Sequence, residues 1–82
     1  MKNYHYVYIL QSLSQPNQIY TGHTENLRNR LNDHNSGKVP HPSKFRPWII
    51  RSATAFKDKR RAMAFERYLK SDSGRAFLHR HL

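Results

Sequence analysis

The 82-residue chain predicts a small α/β (α+β) domain, a three-stranded, mainly antiparallel sheet flanked by helices in the order β-β-α-β-α-α. Three observations predict it. Short runs of β-branched and aromatic residues recur at His5–Gln11, Ile19–Thr21 and Trp48–Phe56. Two segments of helical spacing follow good N-cap residues, Thr24 and Asp58. Polar stretches containing proline or glycine punctuate the rest. The length allows one domain, residues 1–82, near the lower limit for folding without covalent staples.

The first strand carries Tyr6, Val7, Tyr8, Ile9 and Leu10 in succession, a run that fits a largely buried position. Ser12 to Gln18, with Pro16-Asn17, is turn material, and Ile19-Tyr20-Thr21 returns as a second strand ending at Gly22. Thr24 caps a first helix that runs to about Asn35, where Ser36-Gly37 stops it. On that helix Leu27, Arg30, Leu31 and His34 share one sector, so two polar side chains border an apolar stripe. Lys38 to Pro47 holds three prolines among basic residues and reads as an ordered or substrate-contacting loop. Trp48–Phe56 is the third strand. Asp58 caps a second helix to about Ser71 whose apolar face is Ala62, Phe65 and Leu69, with Glu66 on its edge. Asp72-Ser73-Gly74 breaks the pattern, and Arg75 to His81 forms a short last helix with Phe77 and Leu78 inward.

Composition narrows the function. Cysteine is absent, which excludes disulfides and thiolate zinc clusters. No run approaches the roughly 20 apolar residues of a membrane span, and the start lacks a signal-peptide core, so a cytoplasmic location and no membrane partner are expected. Fifteen Lys and Arg against five Asp and Glu give a net charge of +10. These charges are dispersed among apolar residues, so they decorate a folded surface. Nucleic acid is the leading partner; general solubility and adhesion to anionic lipid are the alternatives.

Several residues could carry chemistry. The first helix begins directly after Tyr20-Thr21-Gly22, which offers free backbone amides to a phosphate. Arg30 and His34, one turn apart, could reach a common anion or could be solvated surface. Glu66, beside apolar neighbours, needs a partner: an arginine, or a Mg²⁺ ion whose other positions are filled by water and phosphate oxygens. Tyr8 and Tyr20 could be core aromatics, or could serve as bases if positive charge or a metal-bound water lies near. The six histidines show no zinc-ligand spacing.

Tyr6-Val7-Tyr8, Tyr20-Thr21-Gly22, Asn26-Leu27-Arg28-Asn29-Arg30-Leu31 and Glu66, in that order, resemble the GIY-YIG nuclease superfamily. The likeness extends to its small stand-alone bacterial proteins through His34-Asn35-Ser36-Gly37, Lys44-Phe45-Arg46-Pro47-Trp48, Tyr68-Leu69-Lys70-Ser71 and Ser73-Gly74-Arg75-Ala76-Phe77. The resemblance implies a three-stranded antiparallel sheet with flanking helices and divalent-metal-dependent hydrolysis of DNA. It maps the family's tyrosines onto Tyr8 and Tyr20, its arginine onto Arg30, the histidine one turn later onto His34 and the metal carboxylate onto Glu66. Gly22 allows close backbone approach. His23 stands where some relatives have lysine, and His41 where others have a second histidine.

The expectation is therefore an endonuclease in which Glu66 holds Mg²⁺ or Mn²⁺, Arg30 neutralises developing charge, and Tyr8 or Tyr20 helps deprotonate water with His34 as acceptor or relay. The two hydroxyls, the guanidinium and the carboxylate have to converge on one solvent-open hollow. Lys38, Lys44, Arg46 and Arg75 are the expected backbone contacts, and branched or nicked DNA is favoured over a defined base sequence. The rival is a nucleic-acid-binding module that kept the scaffold without turnover. It is suggested by the absence of any asparagine beyond Asn35, since many nucleases of the superfamily carry one after the glutamate.

Overall fold

The computed structural model describes residues 3–38 and 42–82. Three strands, β1 (His5–Ser12), β2 (Ile19–Thr24) and β3 (Trp48–Phe56), form one antiparallel sheet in the order β2-β1-β3. Helices α1 (Leu27–Asn35), α2 (Lys59–Leu69) and α3 (Asp72–His81) complete the expected order β-β-α-β-α-α, and a single 3₁₀ turn, Pro42–Phe45, precedes β3.

The central strand explains the layering. β1 is buried on both faces, so its side chains divide by the strand's period of two. Val7 and Ile9 pack with Ala62 and Leu69 of α2 and Leu78 of α3. Tyr8 and Leu10 point the other way, into a cluster with Trp48 that Tyr20, Leu27, Leu31 and Phe45 cover. Thus α1 lies over one face and the α2–α3 pair over the other. A bulge between Ile9 and Leu10 shifts the β1–β3 register, pairing Ile9 with Ser52 but Leu10 with Ile50.

Polar clamps fix the connections. Asn35, at the end of α1, accepts from the Trp48 backbone N–H at 2.6 Å and donates to the Trp48 carbonyl at 3.0 Å, tying α1 to the start of β3. Ser12, fully buried at the end of β1, donates to the Phe45 carbonyl at 2.6 Å and accepts from the Gln15 N–H. Each bond satisfies a group that would otherwise be desolvated alone.

Four boundaries differ from expectation, each for a local reason. β2 continues past Gly22 to Thr24, because pairing with β1 persists through His23↔Val7 and Thr24↔Tyr6. Asn26, not Thr24, caps α1: its side chain accepts from the Asn29 N–H, while the Thr24 hydroxyl turns the chain by accepting from the Asn26 N–H. α2 ends at Leu69 rather than near Ser71. Asp72-Ser73-Gly74 is no break but the first turn of α3, which Ser71 caps by accepting from the Gly74 N–H. Gly74 suits that turn because a Cβ there would fall 1.6 Å from the Tyr68 carbonyl oxygen, so only glycine lets α3 start against the end of α2.

Candidate active site

The two tyrosines come together through the sheet register. Tyr8 of β1 faces Gly22 of β2, and Tyr20 lies two residues along the same face. Their rings stack at 6.3 Å between centroids. The Tyr8 hydroxyl rests on Gly22: a Cβ there would meet it at 2.5 Å. The space that a side chain at Gly22 would take is thus occupied by the Tyr8 hydroxyl and ring.

Tyr8 is only 1% exposed, so the hydroxyl closes the site from below rather than lining open solvent. Burial pushes its pKa well above the ordinary tyrosine value, and Tyr20 and Glu66 push the same way while Arg30 opposes them.

Helix α1 splits its two candidates. Leu27 and Leu31 turn toward the sheet, and His34 follows them completely into the core. The His34 Nδ1–H donates to the Arg30 carbonyl at 3.0 Å, and the ring sits edge-on to Tyr20 at 4.5 Å and to Trp48 at 6.4 Å. Its Nε2 is buried and finds no hydrogen-bond partner among the described residues. Arg30, by contrast, is exposed. The expectation that both side chains reach one anion is thus corrected. The apolar sector is wide enough to take in His34, so only its backbone link joins it to Arg30.

Glu66 comes from the opposite face. It belongs to α2, and it meets His23, which pairs with Val7 and so shares the α2 side of the sheet. Lys70, one turn on, donates to its other oxygen at 2.8 Å. The side chain is 16% exposed. Burial works to raise the Glu66 pKa, but hydrogen bonds from Lys70 and His23 overcome it and hold the carboxyl below its ordinary value. Neither partner is the arginine that salt-bridge reasoning suggested. The carboxylate and Arg30 thus belong to helices on opposite faces of the sheet, and Glu66 is absent from the hollow that Arg30 lines.

A hollow of about 410 Å³ opens at that end of the sheet, lined by Arg30, His23, Asn26, Asn29 and Lys59 among others. Tyr8, Tyr20 and Glu66 do not line it, so the single open hollow expected for all four groups is not what the fold builds. His23 is the connection, lining the hollow while bonded to Glu66. Sequence reasoning placed His23 only by position and passed over Lys59 and Lys70. The signal for His23 was its parity with Val7 once β2 extends past Gly22.

The expected backbone contacts separate. Lys38 pairs with Asp33 at 3.6 Å, and Lys44 sits 5.1 Å from the centre of the Phe45 ring. Arg46 follows the 3₁₀ turn, its carbonyl accepting weakly from Ser14. Arg75 lies apart, on α3 beside Lys70 and Tyr20. His41 lies outside the described residues. Among the described residues no three His, Asp or Glu side chains gather as a metal cage. The donor set still fits a hard cation held largely by water and phosphate, since one ionised carboxylate suffices for Mg²⁺. No helix among the described residues is long and apolar enough to cross a membrane.

Comparison with known proteins places this geometry. The GIY-YIG catalytic domain matches residues 4–79, nearly the whole chain. The chain belongs to the GIY-YIG family. It is similar to a UPF0213 protein of Bacillus licheniformis, 38% identical over 69 residues that cover 83% of this chain and 69% of that one. A UPF0213 protein of Staphylococcus haemolyticus is 37% identical over 70 residues, 84% of this chain and 83% of the relative. The solution NMR structure of a UPF0213 protein from Bacillus halodurans superposes with a TM-score of 0.54 at 33% identity, over 92% of this chain and 81% of that one. GIY-YIG domains are nuclease domains, so a nuclease-like function is supported at the level of the family.

Proposed function

We propose that this GIY-YIG protein is a divalent-metal-dependent endonuclease that hydrolyses phosphodiester bonds in DNA, directed by DNA structure such as a branch or nick rather than by base sequence. One observation carries the proposal: His23 lines the hollow that holds Arg30 and is bonded to the Glu66 carboxylate, so a cationic and an anionic candidate are joined through one side chain. A positive and a negative group so joined suit a site that must hold a phosphate and a metal side by side.

In this reading Arg30, exposed in the hollow, binds the scissile phosphate and offsets charge that develops on it. Glu66, kept ionised, would hold Mg²⁺ or Mn²⁺. When bound, such an ion stabilises the leaving oxygen or activates water. Burial keeps the Tyr8 hydroxyl protonated, so it donates a hydrogen bond and orients groups at the edge. The half-buried Tyr20 hydroxyl would orient the attacking water, whose proton leaves to bulk solvent. His34, packed edge-on against Tyr20, positions that ring rather than touching substrate.

The test incubates wild-type protein and the Arg30→Ala and Glu66→Ala variants with labelled branched, nicked and linear DNAs, with and without magnesium or manganese. Metal-dependent cutting by the wild type, reduced about 10²- to 10³-fold in each variant, is the expected result. Equal cutting by all three proteins refutes the assignment. A second reading, a nucleic-acid-binding module without turnover, is favoured by one observation: both Glu66 oxygens are engaged, by His23 and Lys70, and a metal has to displace at least one of them. It predicts salt-sensitive binding with no cleavage under either metal.

A further inference from the structure

A second hollow, of about 520 Å³, lies on the other side of Glu66, between the β1–β2 turn with the start of β2 and the junction of α2 with α3. Lys70, Arg75 and His79 line it, with Asn17, Gln18 and Tyr20 opposite. Arg75 and His79 are spaced i, i+4 on α3, so they share one side of that helix. No carboxylate lines this hollow among the described residues, whereas Glu25 and Asp33 both line the Arg30 hollow. Among the described residues Arg75 makes no ion pair. Lys70 is already offset by Glu66, so Arg75 is the cation of this hollow without an acidic partner among the described residues, and a phosphate there would supply one.

The two hollows are linked through Glu66. One Glu66 oxygen is bonded to His23, which lines the first, and the other accepts from Lys70, which lines the second. His23 and Thr21 line opposite hollows two residues apart on β2. β2 is an edge strand, so alternate backbone N–H and C=O groups along this border have no strand partner.

We propose that the Lys70–Arg75–His79 hollow is a second phosphate subsite, which holds the sugar-phosphate backbone of the same nucleic-acid strand beyond Glu66 from the Arg30 hollow. The inference rests on the nuclease reading for the identity of the first site. It gives the strand a track over the β2 edge, with Glu66 between two hollows that each contain an arginine. It also separates Arg75 from Lys38, Lys44 and Arg46, which belong to the connection between α1 and β3.

The test measures binding of a fluorescent oligonucleotide with a single-stranded arm at increasing salt, without divalent metal so that cutting does not intervene. The variants are Arg75→Gln with His79→Gln, and the charge reversal Arg75→Glu. Arg80→Gln is the control, an exposed cation on the same helix that lines a separate small groove. All three alter exposed side chains, and thermal melts check that each folds. The expected result is weaker binding and a slope of log affinity against log salt smaller by about 0.7 for each single-strand phosphate no longer neutralised, with Arg80→Gln unchanged. Wild-type slope and affinity in the Arg75 variants overturn the subsite. So does an equal loss in Arg80→Gln, and so does the absence of salt-sensitive binding by the wild type. If the slope falls as expected but the wild type never cuts with added metal, the nuclease reading fails while the subsite stands. If the protein cuts and the slope does not move, the reverse holds.

Discussion

Gly22→Ala probes the site through stability alone. A Cβ at position 22 would fall 2.5 Å from the Tyr8 hydroxyl, 2.8 Å from the ring carbon that bears it and 3.2 Å from the next. The ring cannot easily yield, because Tyr8 is 1% exposed and stacked on Tyr20. Overpacking of this kind costs about 1–3 kcal/mol. The backbone itself accepts alanine, since Gly22 is not among the positive-φ glycines. Losing glycine's freedom in the unfolded chain therefore returns about 0.4–1 kcal/mol. The net loss is about 0–2.6 kcal/mol, and about 1.3 kcal/mol at the middle of both ranges, which lowers Tm by about 5–10 °C for a domain of this size. Adding Tyr8→Phe removes the nearest atom but leaves the ring carbon, so the double variant should recover part of the loss. A coupling of at least about 0.5 kcal/mol is expected from melts of the four proteins. Additive effects would refute the placement of the Tyr8 hydroxyl on the edge strand.

Three further outcomes follow from the same geometry. Asn35→Ala breaks both bonds to the Trp48 backbone and should cost about 1–3 kcal/mol, read by denaturant unfolding; a neutral result means that α1 is not held to β3 this way. Glu66→Gln tests the depressed carboxyl. A group whose folded pKa lies below its unfolded value adds stability that is present above the unfolded value and lost as pH falls through the folded one. The wild type should melt higher than the glutamine variant at neutral pH, and the gap should close as pH drops below the ordinary value of 4.5; a gap that stays constant contradicts the assignment. His34→Ala leaves a void between Tyr20 and Trp48 and should destabilise by about 2–4 kcal/mol, whereas Arg30→Ala, at an exposed position, should stay within about 0.5 kcal/mol in the same melts.

Much of this molecule was legible in its sequence because the informative signals are local. The continuous apolar run of β1, the limits of β3 from Trp48 to Phe56 and the Asp58 cap of α2 depend on period and end chemistry, which neighbouring residues determine. Caps and breaks were less secure where two residues compete for one role: Asn26 displaced Thr24, and Ser71 turned an expected break into a helix start. Residue identity also marked Tyr8, Tyr20, Arg30 and Glu66 as candidates through resemblance to the GIY-YIG nucleases.

Tertiary structure alone decided how those side chains meet. A strand's alternation assigns Tyr8 and Val7 to opposite faces, but which helix covers each face depends on packing across the whole sheet. That choice buries His34, leaves Arg30 in the open and joins Glu66 to His23 and Lys70 on the α2 side of the sheet. Sequence carries residue type and short-range order. Desolvation and through-space charge act between groups tens of residues apart, and they appear only when the chain has closed on itself.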